Sequence, residues 1–250
     1  MKDEALKTPS FGHRVVAESV GTALLLATVV GSGITGERLA GGNVAIALLA
    51  NTLATGAVLV ALILSFGPIS GAQLNPAVTL SVAWEGGLPW AEVPGYIVAQ
   101  VFGACVGVAI ADLMFDLPAF SLSQHARHGA SQLLSEFVAT FGLLSVIWGS
   151  SRLRSATVVP FAVGAYITAA YWFTASTSFA NPAVTLARSL SDTFAGIQPL
   201  DVPGFVIAQL LGAGAATALF RWLSPALPAV APTVMGRTLE SVAPKRGARS

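Results

Sequence analysis

The sequence predicts an all-α membrane protein of six transmembrane helices plus two re-entrant half-helices, arranged as an inverted repeat. Three observations carry this. Of 250 residues, 54% are hydrophobic and only 10% are charged, against ~25% charged in ordinary soluble domains; the mean hydropathy is +0.72. Charge is also missing from long runs: Leu39–Trp84 holds 46 residues without one Asp, Glu, Lys or Arg, while a single crossing needs only ~20. Finally, the hexapeptide Asn75-Pro76-Ala77-Val78-Thr79-Leu80 returns unchanged as Asn181-Pro182-Ala183-Val184-Thr185-Leu186.

Taken in order, residues 1–14 read as an N-terminal tail. The apolar segment after Lys2, Lys7 and Arg14 lacks a signal-peptidase site and is long enough to stay as a span. Span 1 covers Val15–Gly33 and contains Glu18, and Glu37-Arg38 mark a turn. Leu39–Phe66 crosses once, with Gly67, Pro68 and Gly71 ending it. Pro76–Trp84 then starts as a helix should, with Asn at the N-cap and Pro at the first helical position. Its nine residues measure about 13 Å, roughly half of a hydrocarbon core. It can dip to mid-membrane but cannot cross.

Glu85-Gly86-Gly87 and Pro89 make a turn before span 3, Val93–Ala111. Asp112–His128 is the longest polar connection, holding Pro118, His125 and His128. Span 4 covers Gln132–Gly149 with Glu136 near its start, and Arg152 and Arg154 occupy a tight loop. The uncharged run Ser155–Ala187 divides into span 5, Thr157–Ala175, and a second half-helix ending near Asp192. Span 6 is Val202–Trp222, and 223–250 is a tail rich in Pro and basic residues. The membrane unit is therefore 15–222, with one repeat at about 15–115 and the other at about 131–222.

The repeat extends beyond the hexapeptide. Val93-Pro94-Gly95-Tyr96-Ile97-Val98-Ala99-Gln100 matches Val202-Pro203-Gly204-Phe205-Val206-Ile207-Ala208-Gln209, and Glu18 with Gly21-Thr22 matches Glu136 with Ala139-Thr140. Spans 3, 4 and 5 separate the half-helices, so these enter from opposite faces and can meet at mid-membrane. Basic residues set the orientation. With the N-terminus inside, ten fall on the cytoplasmic side, and only Arg38 and Arg127 lie outside. Both termini are expected in the cytoplasm of a cell (inner) membrane protein.

A helix N-terminus carries about half a positive charge and unpaired N–H donors. Two facing ends disfavour cations and protons but not a neutral hydrogen-bonding solute. Each Asn oxygen can cap its own half-helix and leave its amide N–H₂ to donate to a passing molecule. The irregular backbone at Ile69–Leu74 and Ser176–Ala180 is tolerable only beside a wet path, where its carbonyls act as acceptors. Acceptors leading to paired donors make a single-file pore.

The two Asn-Pro-Ala triplets, the stretch Ser70-Gly71-Ala72-Gln73-Leu74-Asn75-Pro76-Ala77-Val78-Thr79 and the six-span inverted repeat resemble the aquaporin/aquaglyceroporin (major intrinsic protein) family across Val15–Trp222. The resemblance implies six helices plus two half-helices, usually as a homotetramer with one pore per subunit, with Asn75, Pro76, Ala77, Asn181, Pro182 and Ala183 at the centre. In one respect the chain departs from that pattern. The family's second triplet is normally followed at once by Arg, which narrows and guards the outer constriction; here that position is Val184, with Arg188 four residues on. The expectation is a wider, less cation-repelling filter, with Arg188 as a helix-end anchor facing the outer surface. By family position Thr55, Ser178 and Val184 line the constriction. The fourth place is Ala169 if counted back from Asn181, or Tyr171 if span 5 is aligned on Ala162-Val163-Gly164.

A carboxylate inside a membrane defaults to a functional role such as proton relay. The symmetric placement of Glu18 and Glu136 favours a structural one, each accepting hydrogen bonds from the irregular loop of its half, with Gln100 and Gln209 serving alongside. Gly103 and Gly107 fit close helix contact, Trp84, Trp90, Trp172 and Trp222 fit interfacial or packing positions, and His125 and His128 fit an exposed loop. Cys105 has no partner for an intramolecular disulfide. A net charge of +1 gives no hint of nucleic acid, and no cofactor, metal or catalytic group is expected. The function that follows is a passive channel for water and small uncharged solutes, extending to glycerol-like polyols and neutral metalloid acids such as arsenite. The competing reading is a secondary transporter, which inverted repeats and broken helices also build.

Overall fold

The computed structural model describes residues 9–151, 158–224 and 231. Eight α-helices occur among them: α1 Phe11–Leu39, α2 Val44–Ser70, α3 Pro76–Trp84, α4 Val93–Met114, α5 Ala130–Ser150, α6 Val158–Phe173, α7 Pro182–Arg188 and α8 Val202–Leu223. Five of the long helices are apolar enough to cross a membrane by length and composition, and α6 is a shorter apolar helix of 16 residues. The nine-residue α3 and seven-residue α7 are the half-helices. Lys2, Lys7, Arg152, Arg154 and nearly all of the C-terminal tail lie outside the described residues.

The halves pack alike. In the first, α1 lies against α4 and α2; in the second, α5 lies against α8 and α6. Each half-helix also crosses to the other repeat, α3 reaching α8 and α7 reaching α4. Small residues make the long contacts possible. A Cβ at Gly103 would overlap the Ser19 carbonyl oxygen, and one at Gly107 that of Ala23; Gly212 stands in the same relation to Phe137.

Several helix ends differ from the sequence reading. Helix α1 begins at Phe11 rather than Val15, because Ser10 caps it by accepting from the His13 N–H at 3.4 Å. It continues through Gly31, Gly33 and Gly36 to Leu39 instead of stopping at Gly33. These glycines pack against neighbours; a Cβ at Gly36 would stand 2.9 Å from the Ala47 carbonyl oxygen. The turn is therefore Ala40–Asn43, where Gly41 and Gly42 take φ of 57° and 87°. Helix α2 starts at Val44, capped by Asn43, and carries Gly67 and Pro68 inside it to Ser70. Only Gly71, at φ 90°, ends it. Pro68 removes its own ladder bond, but it lies in the last turn, with only Ile69 and Ser70 of the helix after it. Helix α7 stops at Arg188, short of Asp192.

The connection 115–129 packs over the end of α7. Ser121 N–H donates to Leu190 C=O at 2.9 Å and Ser123 N–H to Ser189 C=O at 3.0 Å. Asp112, expected in this connection, lies buried in α4 and accepts from the Ser191 hydroxyl at 2.8 Å.

Candidate functional site

The half-helices meet through their N-caps. Asn75 Oδ1 accepts from the Ala77 N–H at 2.9 Å. Asn181 Oδ1 accepts from Ala183 at 3.0 Å and Val184 at 3.3 Å. Both backbones are extended, at φ −158°, so each carbonyl starts its helix while each side chain folds back over the first turn. The amide nitrogens then cross between repeats. Asn75 Nδ2 donates to Ala180 C=O at 2.8 Å, and Asn181 Nδ2 donates to Leu74 C=O at 2.8 Å. This reciprocal clasp uses one of the two N–H groups on each amide. Sequence reasoning placed both Asn correctly at their caps but missed the clasp.

The residues before each Asn take conformations L-residues avoid. Ala72, Leu74, Ser178 and Ala180 have φ of 43°, 49°, 52° and 49°, each costing about 1–2 kcal/mol. Glu18 and Glu136 hold them there. Glu18 Oε1 accepts from Ser70 Oγ at 2.6 Å and Gln73 N–H at 2.9 Å; Oε2 accepts from Leu74 N–H and Gln100 Nε2, both at 2.7 Å. Glu136 repeats the pattern with Ser176 Oγ at 2.6 Å, Phe179 N–H at 2.9 Å, Ala180 N–H at 2.9 Å and Gln209 Nε2 at 2.5 Å. Four donors on two oxygens suit an acceptor-only carboxylate. Both glutamates are fully buried and brace the loops, as their symmetry suggests.

Two threonines complete the brace. Gln100 Nε2 also donates to Thr79 Oγ1 at 2.9 Å, and Gln209 Nε2 to Thr185 Oγ1 at 2.8 Å. Each threonine hydroxyl donates in turn to its Asn carbonyl, at 3.1 and 2.8 Å. These threonines and the two serines were not singled out beforehand. The signal was available, since Ser70/Ser176 and Thr79/Thr185 keep the same offsets from Asn75 and Asn181.

Among the expected filter residues, Thr55 and Tyr171 come together with their hydroxyls 3.3 Å apart. Both are buried, as are Ser178 and Val184. Ala169 is exposed on the outside of α6, so Tyr171 is the span-5 residue that turns inward. Arg188 is not an outward anchor: it is 2% exposed, its Nε donates to Ala195 C=O, and its Cζ lies 3.4 Å from the Phe179 ring centroid. Arg127, given no role by the sequence reading, approaches the same ring at 5.0 Å. Its Nε donates to Gly196 C=O at 2.8 Å and its Nη1 to Ser176 C=O at 3.2 Å. Burial brings this guanidinium down to about 10, which still leaves it charged at neutral pH. His125 is exposed in the same connection; partial burial, then Arg127 and Arg188, push its imidazole below the ordinary range. Trp84, Trp90, Trp172 and Trp222 are all exposed, while Trp148 is fully buried and donates to Thr217 Oγ1 at 3.1 Å.

The chain is similar to known proteins over most of its length. The family profile described as Major intrinsic protein matches residues 5–178. The chain is 56% identical over 222 residues to "Aquaglyceroporin AqpS" of Rhizobium meliloti (strain 1021), covering 88% of this chain and 94% of that one. It is 32% identical over 243 residues to "Aquaporin Z" of Rhodopseudomonas palustris (strain ATCC BAA-98 / CGA009), with 91% and 93% covered. Its fold resembles the X-ray structure of the aquaglyceroporin from Plasmodium falciparum with a TM-score of 0.68 at 21% identity, covering 87% of this chain and 99% of that one.

Proposed function

The chain belongs to the major intrinsic protein family, and from that premise we propose that it is a passive membrane channel for water and small uncharged solutes of glycerol size. The observation that carries this is the Asn clasp. Two buried amides are fixed by their caps and by each other, and each keeps one N–H for a solute oxygen. Donors held in place cost no reorganisation as a solute passes. The carboxylates that a coupled transporter would use for ion binding are each already surrounded by four donors.

The path runs past Asn75 and Asn181, with Pro76, Ala77, Pro182 and Ala183 shaping the helix starts. Thr55, Tyr171, Ser178 and Val184 form its outer constriction. A compact Val184 in place of arginine widens that constriction, which suits polyols and neutral metalloid acids such as arsenite. The similarity to a protein named an aquaglyceroporin supports the same solute class. The channel unit is 15–222, it sits in the inner membrane with both termini cytoplasmic, and it assembles as a homotetramer. Swelling of proteoliposomes against water, glycerol, urea and arsenite tests the reading. Flux should be non-saturating and indifferent to protonophores. A flux that collapses with the proton or sodium gradient would instead identify a transporter.

A further inference from the structure

Val184 and Arg188 lie four residues apart on α7 and so share one face, Arg188 a turn nearer the helix C-terminus. Side chains on a helix lean toward its N-terminus, and Arg188 does so far enough to place its Cζ 3.4 Å from the Phe179 ring centroid. Phe179 adjoins Ser178, a residue of the constriction. The Nη1 of Arg188 is buried with no hydrogen-bond partner. A buried donor in that state is costly unless water or a solute oxygen meets it. Arg127 arrives at the same ring from the outer connection, held by the carbonyls of Gly196 and Ser176. Both guanidiniums feel the attraction of Glu136 and Tyr171 from a distance, and Arg127 repels Arg188. Neither is neutralised by a close partner, since the ion pairs among the described residues are Arg14–Glu92, His128–Asp201 and Arg221–Glu85.

We propose that Arg188 and Arg127, held against Phe179 beside Val184, form an outer cationic station that binds the acceptor oxygens of small polyols and oxyacids and turns cations back. The station takes over the task of an arginine at position 184, one helical turn further out and with help from the connecting loop. It rests on the channel reading above. It also replaces the expectation that an apolar residue at 184 leaves the channel less cation-repelling: width and charge are decoupled, the first set at Val184 and the second at the two arginines.

The test uses the full chain in proteoliposomes and planar bilayers, with R127Q/R188Q as the variant. Potassium conductance should rise about tenfold or more, each of the two lost unit charges accounting for about threefold on a cation some 8–10 Å away at a dielectric between that of a protein surface and that of water. Glycerol permeability should fall while water flux is kept. Adding V184R to the double variant should restore cation exclusion. If the double variant does not fold, R127Q alone, in which the backbone N–H bond to Asp201 remains, should raise the leak about threefold on the same reasoning. A folded, water-conducting variant as cation-tight as wild type overturns the station and leaves the channel intact. A wild type that passes neither water nor glycerol overturns the channel reading and this inference with it.

Discussion

Replacing Glu18 by Gln is the sharpest test of the brace. Each carboxylate oxygen accepts two hydrogen bonds, one pair from Ser70 Oγ and Gln73 N–H, the other from Leu74 N–H and Gln100 Nε2. A glutamine keeps one acceptor oxygen and turns an N–H₂ toward the other pair of donors. Turned toward Leu74 and Gln100 the amide strands two N–H donors; turned toward Ser70 and Gln73 it strands the Gln73 N–H, since the serine hydroxyl can rotate and accept. At about 1–3 kcal/mol per donor the expected loss is roughly 1–6 kcal/mol. The affected backbone includes Ala72 and Leu74 in left-handed conformations, which are held only while those bonds persist. Glu136→Gln strands the equivalent donors of Ser176, Phe179, Ala180 and Gln209 and should cost as much. Thermal unfolding in detergent, followed by the loss of monodisperse protein, should show a clear fall in Tm for each variant, with selectivity altered less than yield. A variant as stable as wild type but carrying a new pH dependence of flux refutes the brace and makes the carboxylate part of the transport chemistry.

Asn75→Asp or Asn181→Asp should damage conduction or admit cations, because the new oxygen faces the Ala180 or Leu74 carbonyl where an N–H donated at 2.8 Å; wild-type flux and ion exclusion in a folded variant would remove the asparagines from the path. Val184→Arg should sharply reduce glycerol and arsenite permeability while largely sparing water, measured by stopped-flow light scattering. It should also lower yield, since a third guanidinium would join Arg127 and Arg188; undiminished glycerol flux would place Val184 away from the constriction. Arg127→Gln should raise the His125 pKa part of the way back to its ordinary 6.5 by NMR titration, because burial is the larger cause of the depression and Arg127 the next. A depressed imidazole pKa favours the neutral ring in the folded protein, so stability present above 6.5 declines as the pH falls through the lowered value. Arg127→Gln should narrow that window, and an unmoved His125 would separate the two side chains.

The crossings and the half-helices are legible in the residues alone, as is the Asn-Pro start of each half-helix. These are properties of local pattern: uncharged length, an Asn-Pro start, and a repeat whose halves must do the same job. Glu18 and Glu136 were legible as braces because a carboxylate in lipid needs donors and each lies in step with an irregular loop short of donors' partners. Helix ends were less legible. Gly33, Gly67 and Pro68 read as helix ends, yet α1 and α2 run past them, because tertiary packing offsets an unfavourable local preference. Contacts between distant segments, by contrast, emerge only in the folded chain. The Asn clasp joins positions more than a hundred residues apart, and no spacing rule specifies which carbonyl a free amide will find. Tyr171 rather than Ala169 turns inward because the rotation of α6 is set by its packing on α2 and α5, not by a count along a loop. Arg188 folds back onto Phe179, and Arg127 joins it from a loop that reads as ordinary surface. A long charged side chain has reach enough to serve either solvent or site, and only the surroundings it meets settle which.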